Sequence, residues 1–384
     1  MQNPIKLGII TYFYFYNYGT MLQGFATQLL FDRFEGIDAT LIDYRFGTKT
    51  SPKKLDILLV RLKRIFVYIK EFRRVYYTGR YSFLKSKRNA YFDQFAEQYL
   101  KLSSKRYMYE NEINENIPLY DIYVTGSDQT WSPKIGFFPS LFLNFSPINS
   151  IRASYAPSLG VSSISEETAV FMKKQLEKYD FLSCRESLGS HILEKVTDRP
   201  VETVLDPTLM IHSDEWLRYA TLPNIQGKYI LCYFLGERDY YRHYVAQLSK
   251  QTGLPVYYIP VNWKDFKKKN NLLWEVGPSE FLGLIANAEY VCTDSFHGTI
   301  FSVNFHKEIR VFVKHTGNAF GGDNSRLFDI LNRLGLEKQL ITEYKPGSEI
   351  VDCRIDFSWV DSLLAAEREK SMKYAESIVK AKRE

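Results

Sequence analysis

The stretch KLGIITYFYFYNYGTMLQGFATQLLFDRFEGIDATLIDYR, Lys6 to Arg45, decides the fold. Its opening, KLGIITY, is a short apolar run and reads as a buried strand. The run gives way to a polar, glycine-bearing loop, Tyr16-Asn17-Tyr18-Gly19-Thr20. A helical pattern follows, MLQGFATQLLF, and then a second strand, ATLIDYR. Strand, loop, helix, strand is how a parallel α/β layer begins.

The same grammar runs outward from there. Residues 61–88 are helical in period and lead into a second helical segment near Asn89 to Leu102; YDIYVTGS, LFLNF and RASYAPSLG then read as short strands separated by loops rich in Gly, Pro and Ser. A helix is expected from about Glu166 to Lys178, then a strand FLSCRE, a helix SLGSHILEKV and the segment VETVLDPTLMI. YILCYFLG restarts the pattern, followed by a helix from about Asp239 to Gln251, the strand VYYIP and the helix PSEFLGLIANA. Pro278 and Glu280 fall in that helix's first turn, where both are favoured. AEYVC, a helix through Phe305, the strand IRVFVK and the helix SRLFDILNRLGL complete the second half. A charged helix from about Trp359 to Lys382 is expected to fold back on the first half.

The fold class is therefore α/β, with two Rossmann-like domains facing a central cleft. The first takes residues 1–211 joined by the C-terminal helix, 357–384, and the second takes residues 212–356. A chain of 384 residues suits two domains better than one core. Open parallel sheets bind ligands beyond the C-terminal ends of their strands, so the loops after strands carry the interest.

Composition narrows the class. Apolar residues make up 45% and charged residues 24%, which describes a globular protein and excludes a disordered one. The 28 Tyr and 27 Phe serve packing first, although flat rings also line sugar-binding clefts. The net charge of +6 is concentrated at residues 61–88, where Glu71 is the single acid among basic and aromatic residues. Such a stretch suits an anionic membrane surface, nucleic acid or a merely solvated face, and no nucleic-acid-binding motif accompanies it. Four widely spaced cysteines indicate neither a zinc site nor a disulfide framework. No signal-like segment opens the chain, and no apolar run approaches the ~20 residues that span a bilayer. The expectation is a cytoplasmic protein with reduced thiols, touching the inner membrane face if residues 61–88 dock there.

Four clusters carry chemistry. In TDSFHGTIFS, Thr293 to Ser302, a polar group lies between a strand and a helix. Ser295 or Asp294 can cap that helix, its free N–H groups favour an anion, and Gly298 lets a phosphate approach. His297 there is either a general acid or base beside the anion, or a hydrogen-bonded linker. In YDIYVTGSDQTW, Ser127, Asp128, Gln129 and Trp131 offer hydroxyl, carboxylate, amide and indole groups suited to a sugar. A capped turn is the plain alternative. Arg185 in FLSCRES closes a buried strand, where it needs an anion or its neighbour Glu186. The Asn17-Tyr18-Gly19 loop presents backbone amides, a weaker signal.

Together, NYGTMLQ, YDIYVTGSDQTW, SYAPSLG, LSCRES, VLDPTLM, ANAEYVCTDSFHGTIFSV and SRLFDILNRLGL resemble the polysaccharide pyruvyl transferase family, over about Lys6 to Leu336. The GSDQ and SFHG blocks are the most specific. The resemblance implies a GT-B-like fold. It also implies transfer of a pyruvyl group from phosphoenolpyruvate to a sugar of a bacterial surface polysaccharide or its lipid-linked precursor. The product is a cyclic ketal, phosphate is released, and no metal or separate cofactor is implied. It assigns proton transfer to His297 and acceptor activation to Asp128. Arg185, Ser295, Gly298 and Thr299 would hold the donor, and Asn17, Tyr18, Gly19, Ser127, Gln129 and Trp131 the acceptor. Several members carry Arg-Leu-His where this chain has Ser295-Phe296-His297, although others share the SFHG form; either another cation substitutes, with Arg326 the first candidate, or the donor differs. A nucleotide-sugar glycosyltransferase and a non-catalytic sugar-binding protein of capsule assembly are the competing readings.

Overall fold

The computed structural model describes residues 4–45, 75–261, 271–314, 324–350 and 353–382; of residues 75–81 it describes the backbone. The first half begins with β1 (Ile5–Ile10), α1 (Tyr18–Asp32) and β2 (Ile37–Leu41), as the opening stretch requires. There follow α2 (Val75–Tyr99), α3 (Glu110–Glu115), β3 (Ile122–Thr125), β4 (Ile151–Ser154) and α4 (Glu166–Leu176). β5 (Ser183–Cys184), α5 (Ser187–Thr197), β6 (Glu202–Thr203), α6 (Pro207–Met210) and α7 (Ser213–Leu217) close this half. The second half runs β7 (Ile230–Tyr233), α8 (Asp239–Thr252), β8 (Val256–Tyr258), β9 (Asn271–Leu272), α9 (Pro278–Asn287) and β10 (Tyr290–Thr293). It continues with α10 (Phe296–Asn304), β11 (Glu308–Phe312), α11 (Ser325–Arg333), β12 (Leu340–Ile341) and α12 (Phe357–Lys380).

Both halves are parallel α/β layers. The first sheet has the order β2-β1-β3-β4, and a short parallel pair, β5-β6, joins its edge through an Ala153–Phe181 bridge. The second has the order β12-β11-β10-β7-β8-β9 and is likewise parallel throughout. The strands β3, β7 and β10 are buried at every position, the unalternating pattern of sheets covered on both faces. In each sheet the strand order reverses beside the first strand, between β1 and β3 and between β7 and β10. Crevices for ligands open at such reversals. The architecture is two Rossmann-like units in a GT-B-like arrangement, with α12 packed back on the first. Tyr374 of α12 donates to the Ser154 carbonyl at 2.8 Å, and the Leu205 N–H donates to Ser371 at 2.8 Å.

Two expectations change. LFLNF is not a strand: Pro139–Phe142 is a 3-10 turn, and Leu143 takes a left-handed φ of 56° that ends it. Proline at the start of the turn outweighs the apolar run that follows. The break expected near Asn89 is absent, because α2 is continuous from Val75 to Tyr99.

Helix α2 also reassigns part of the basic stretch. Arg88 donates to the carbonyls of Trp274, Pro260 and Leu273 at 3.0, 2.6 and 3.3 Å, and Lys87 pairs with Glu275 at 2.8 Å. These two cations clasp the second half rather than face a membrane or nucleic acid. Residues 61–74 lie outside the described residues.

Candidate active site

The two strand-order reversals converge on one buried cluster. Just past β1, the Thr11 hydroxyl donates to the Ser127 carbonyl at 2.9 Å and ties the loops after β1 and β3 together. The second loop is sharply bent: Asp128 takes φ 65° and Ala156, past the adjacent β4, takes φ 54°. Left-handed backbone costs a non-glycine residue roughly 1–3 kcal/mol and clusters at functional sites. The bend brings the Asp128 carboxylate to α1, where Oδ2 accepts the Thr20 hydroxyl at 3.0 Å.

On the second sheet, Asp294 follows β10 and accepts the N–H groups of Leu235 and Gly236 at 2.6 and 2.7 Å. It therefore fixes the loop after β7, and burial pushes its carboxyl above the usual range despite Lys314 and these amides. The cap of α10 is Ser295, whose Oγ accepts the Gly298 N–H at 3.2 Å. Thr299 donates its N–H and its hydroxyl to the Ser295 carbonyl at 2.9 and 3.0 Å. Gly298 is required for packing, since a Cβ there would lie 2.6 Å from Thr293 Oγ1. Ser295, Gly298 and Thr299 thus build the first turn from each other's polar groups. Of the four end groups of the helix, those of Phe296 and His297 are left for an anion.

Helix α1 starts in the same way. Asn17 caps it, accepting the Thr20 N–H at 3.1 Å, and the Met21 N–H reaches the Asn17 carbonyl, which leaves the N–H groups of Tyr18 and Gly19. The two helix starts touch: a Cβ on Gly19 would lie 2.0 Å from Nδ1 of His297. Two helix N-termini therefore lie side by side, and each favours negative charge beside it.

Asp206 is the hub of the cluster, and the reading of the sequence did not single it out. Its Oδ1 caps α6 by accepting the N–H and hydroxyl of Thr208 at 3.0 and 2.7 Å. Its Oδ2 accepts Ser127 Oγ at 3.0 Å and Arg185 Nη1 at 2.8 Å, and faces His297 Nε2 at 3.6 Å, an ion-pair distance. The Arg185 guanidinium is 2% exposed, lies 4.2 Å over the Phe296 ring and pairs through Nε with Glu186 at 3.3 Å. Among the described residues, neither Arg185 Nη2 nor His297 Nε2 has a hydrogen-bond partner.

The charges are settled by these neighbours. Burial alone would raise the Asp206 carboxyl, yet His297, Arg185 and Thr208 together hold it far below the usual carboxylate range. Burial likewise opposes the Arg185 charge, and the carboxylates of Glu186, Asp206 and Asp128 outweigh it. A carboxylate and a guanidinium that stay ionised without water are fixed charges aimed at the same place.

The structure thus gathers Ser127, Asp128, Arg185, Gly19 and His297, from both halves, around Asp206. Asn17 lies at the rim as the cap of α1, and Gln129, half-buried, has its Oε1 3.0 Å from where a Gly160 Cβ would be. Arg326 lies in the first turn of α11 and is buried. Trp131 corrects the expectation of an acceptor platform. It is wholly buried, donates to the Leu141 carbonyl at 3.2 Å and stacks on Phe142, so neither ring face is open to a sugar. Tyr18 is also engaged, stacked on Phe281 with its hydroxyl on the Val276 carbonyl at 2.9 Å; it joins the halves. Among the described residues, no group of three or more His, Cys, Asp or Glu side chains is placed to hold a metal.

One consequence is direct. Gly19→Ala is expected to lower turnover about 100-fold, the cost of misplacing a reacting group by about 1 Å. Circular dichroism should stay near that of the parent, while melts should show a loss of about 1–3 kcal/mol, because Gly19 is buried and the added Cβ overpacks the His297 ring. An unchanged kcat would show that the His297 ring does not need its present place.

A parallel α/β pair whose facing loops bring fixed charges and a histidine together forms one buried polar site where the two sheets meet. The family model for polysaccharide pyruvyl transferase matches residues 17–313, and the chain belongs to that family. No curated protein matches it in sequence. Among solved structures, the chain is similar to a UDP-N-acetylglucosamine 2-epimerase described as putative, from Listeria monocytogenes, at 12% identity and TM-score 0.48, covering 94% of this chain and 95% of that one. It is similar to the UDP-GlcNAc 2-epimerase of Neisseria meningitidis bound to UDP-GlcNAc at 10% identity and TM-score 0.46, covering 96% and 93%. A third is the E. coli heptosyltransferase WaaC with ADP-2-deoxy-2-fluoro heptose, at 10% identity and TM-score 0.38, covering 80% and 89%.

Proposed function

We propose that this protein moves the pyruvyl group of phosphoenolpyruvate onto two hydroxyls of one sugar in a bacterial surface polysaccharide, such as a capsule, or its lipid-linked precursor. The observation that carries the reading is the buried Arg185–Asp206–His297 array beneath two helix N-termini. The donor has two anionic ends, and the array offers two kinds of anion partner: a guanidinium with one nitrogen unpartnered among the described residues, and the paired helix starts.

His297 delivers a proton to the donor's methylene carbon, which becomes the methyl group, and the adjacent carbon becomes cation-like. One sugar hydroxyl adds to that carbon, phosphate departs, and the second hydroxyl closes the ketal. Of the two hydroxyl protons released, one balances the proton given to the methyl group and the other leaves on phosphate. Asp206 orients the His297 ring through Nε2, and its negative charge lies close to the developing positive centre. Asp128, held by Thr20, receives the acceptor proton.

The test is phosphate release from phosphoenolpyruvate with galactose-, glucose- and N-acetylmannosamine-containing acceptors. Acceptor-dependent release is expected. Binding of a nucleotide sugar, with no binding of phosphoenolpyruvate, would overturn the reading in favour of glycosyl transfer.

Residues 61–86 are assigned to the cytoplasmic membrane surface. In the described part, Phe83 is 58% exposed. Vesicles containing phosphatidylglycerol are expected to sediment the protein at low salt, at about 1 kcal/mol per basic residue near the surface, and to release it at high salt. Equal recovery with neutral vesicles would remove this assignment. Among the described residues, no helix is long and apolar enough to cross a membrane.

A further inference from the structure

Arg185 stands where strand pairing ends. The last paired residue of β5 is Cys184, whose carbonyl accepts the Val204 N–H at 3.1 Å, so the Arg185 backbone must find partners elsewhere. It finds one in each half of the protein. Its N–H donates to the Pro157 carbonyl at 3.0 Å, on the bent loop after β4. Its carbonyl accepts Nη1 of Arg333, in the last turn of α11, at 3.0 Å. Two residues on, α5 begins without a local cap, because Glu186 occupies the cap position and its side chain makes no capping bond. The first N–H of that helix, on Ser187, donates instead to Oδ1 of Asp329 at 2.9 Å, one turn before Arg333 on α11.

The two α11 side chains brace one another and are braced in turn. Arg333 Nη1 lies 3.4 Å from Asp329 Oδ2, and Nη2 pairs with Glu367 of α12. The side chains of Arg333 and Asp329 are 11% and 14% exposed, so these bonds form largely away from water, where they are stronger. Packing does little to hold this contact. A cavity of about 550 Å³ opens between α5 and α11, walled by Glu186, Leu188, Phe328, Asp329 and Asn332 among others. Where side chains do not interlock, directional bonds decide how closely two helices approach. The bonds from Pro157, Arg333 and Asp329 therefore fix the backbone from Arg185 to Ser187. With it they fix the guanidinium that reaches Asp206 and covers the Phe296 ring.

We infer that Asp329 and Arg333 are positioning residues: from the second half, they set where the Arg185 guanidinium stands against Asp206 and His297. What this does for catalysis rests on the pyruvyl-transfer reading, in which Arg185 holds the donor. The placement itself rests on the bonds above. The same helix carries Arg326 in its first turn, so the clasp also sets the spacing between the two cations expected to hold the donor. Donor binding is thereby linked to how α11 docks on α5. A displacement of about 1 Å at such a clasp is worth about 100-fold in rate.

The experiment uses the full chain and two readouts. One is calorimetric titration with phosphoenolpyruvate. The other is the Arg185 Nε–H resonance of protein grown on isotopically labelled arginine, assigned by its loss in Arg185→Lys. The guanidinium carbon lies 4.2 Å from the centre of the Phe296 ring, whose ring current makes that resonance sensitive to small displacements. Asp329→Ala should move the resonance and weaken phosphoenolpyruvate binding by about tenfold or more, the worth of one charged hydrogen bond. Asp329→Asn, whose Oδ1 still accepts the Ser187 N–H, should stay within about threefold of the parent. Arg333→Lys keeps the charge but not the fork that serves Asp329, Glu367 and the Arg185 carbonyl together. It should resemble Asp329→Ala, and it carries the test if that variant does not fold. Lys87→Met breaks the pair with Glu275, a different contact between the halves, and should change neither readout. An unmoved resonance in both Asp329→Ala and Arg333→Lys overturns the inference. So does an equal effect of Lys87→Met, which would make the clasp one docking contact among several, and so does Asp329→Asn as damaging as Asp329→Ala. Failure of the pyruvyl-transfer reading would show separately, as a parent that binds no phosphoenolpyruvate while the resonance still moves in Asp329→Ala.

Discussion

His297→Ala is expected to reduce acceptor-dependent phosphate release by about 10²–10⁴-fold, the usual yield of a positioned proton-transfer group. The donor's methylene carbon is a poor base, and protonating it is the step for which water is least suited. On the proposed reading the proton donor is preset: the ring lies against the start of α1 on its Nδ1 side, with Asp206 3.6 Å from Nε2. The loss should appear in kcat. Donor affinity should change little, because the Arg185 guanidinium and the helix N–H groups remain. Retention of most of the turnover would remove His297 from the chemistry and return it to the role of a packed linker. His297→Gln separates the two cases, since it restores polar contact with Asp206 but titrates nowhere near neutrality.

Asp206→Ala is expected to do more, because it removes both a hub and a counter-ion. Breaking a buried ion pair from one side costs about 3–5 kcal/mol, and Arg185 is 2% exposed. Glu186 at 3.3 Å and the Phe296 ring retain part of the compensation, so the lower end of that range is expected in urea melts. Asp206→Asn keeps the shape and the α6 cap but not the charge. It should melt closer to the parent while losing activity to a degree near that of His297→Ala. Equal stability of Asp206→Ala and the parent would contradict the pairing described here. The carboxyl's folded value is depressed, so its stabilisation is present above the ordinary unfolded value of about 3.9 and declines only as acid drives the pH below it toward the folded value. The part of the stability that the Asp206 carboxyl's own titration governs should therefore be lost only in acid. In Asp206→Asn the parent's acid-limb slope from this group should disappear.

Much of this architecture was legible because the strands announce themselves. Runs such as KLGIITY, YILCYFLG and AEYVC have no alternation, and only sheets covered on both faces tolerate that. The SFHG block was legible for a related reason: a cap, a histidine and a glycine packed into one turn follow local rules. Asp206 was hidden because its local signal, Asp followed by Pro, announces a helix cap and nothing else. Its meeting with Arg185 and His297 spans 21 and 91 positions and depends on how two sheets dock. Trp131 misled for the complementary reason. Its neighbours Ser127 and Asp128 do face the site, but one turn later the chain has already entered the core. Residue type announced a ring face, and only packing could show that Phe142 already covers it.

The return of α12 to the first sheet has a consequence for biosynthesis. Ser154 and Leu205 wait for Tyr374 and Ser371, made some 220 and 166 residues later in the chain. Translation at roughly 5–20 residues per second leaves the first layer without its last helix for tens of seconds. During that interval its apolar edge is available to chaperones or to other nascent chains. The second layer, uninterrupted in sequence, can close as it emerges. Fusions or truncations at the C-terminal end should therefore disturb yield by acting on the half of the protein farthest from them along the chain.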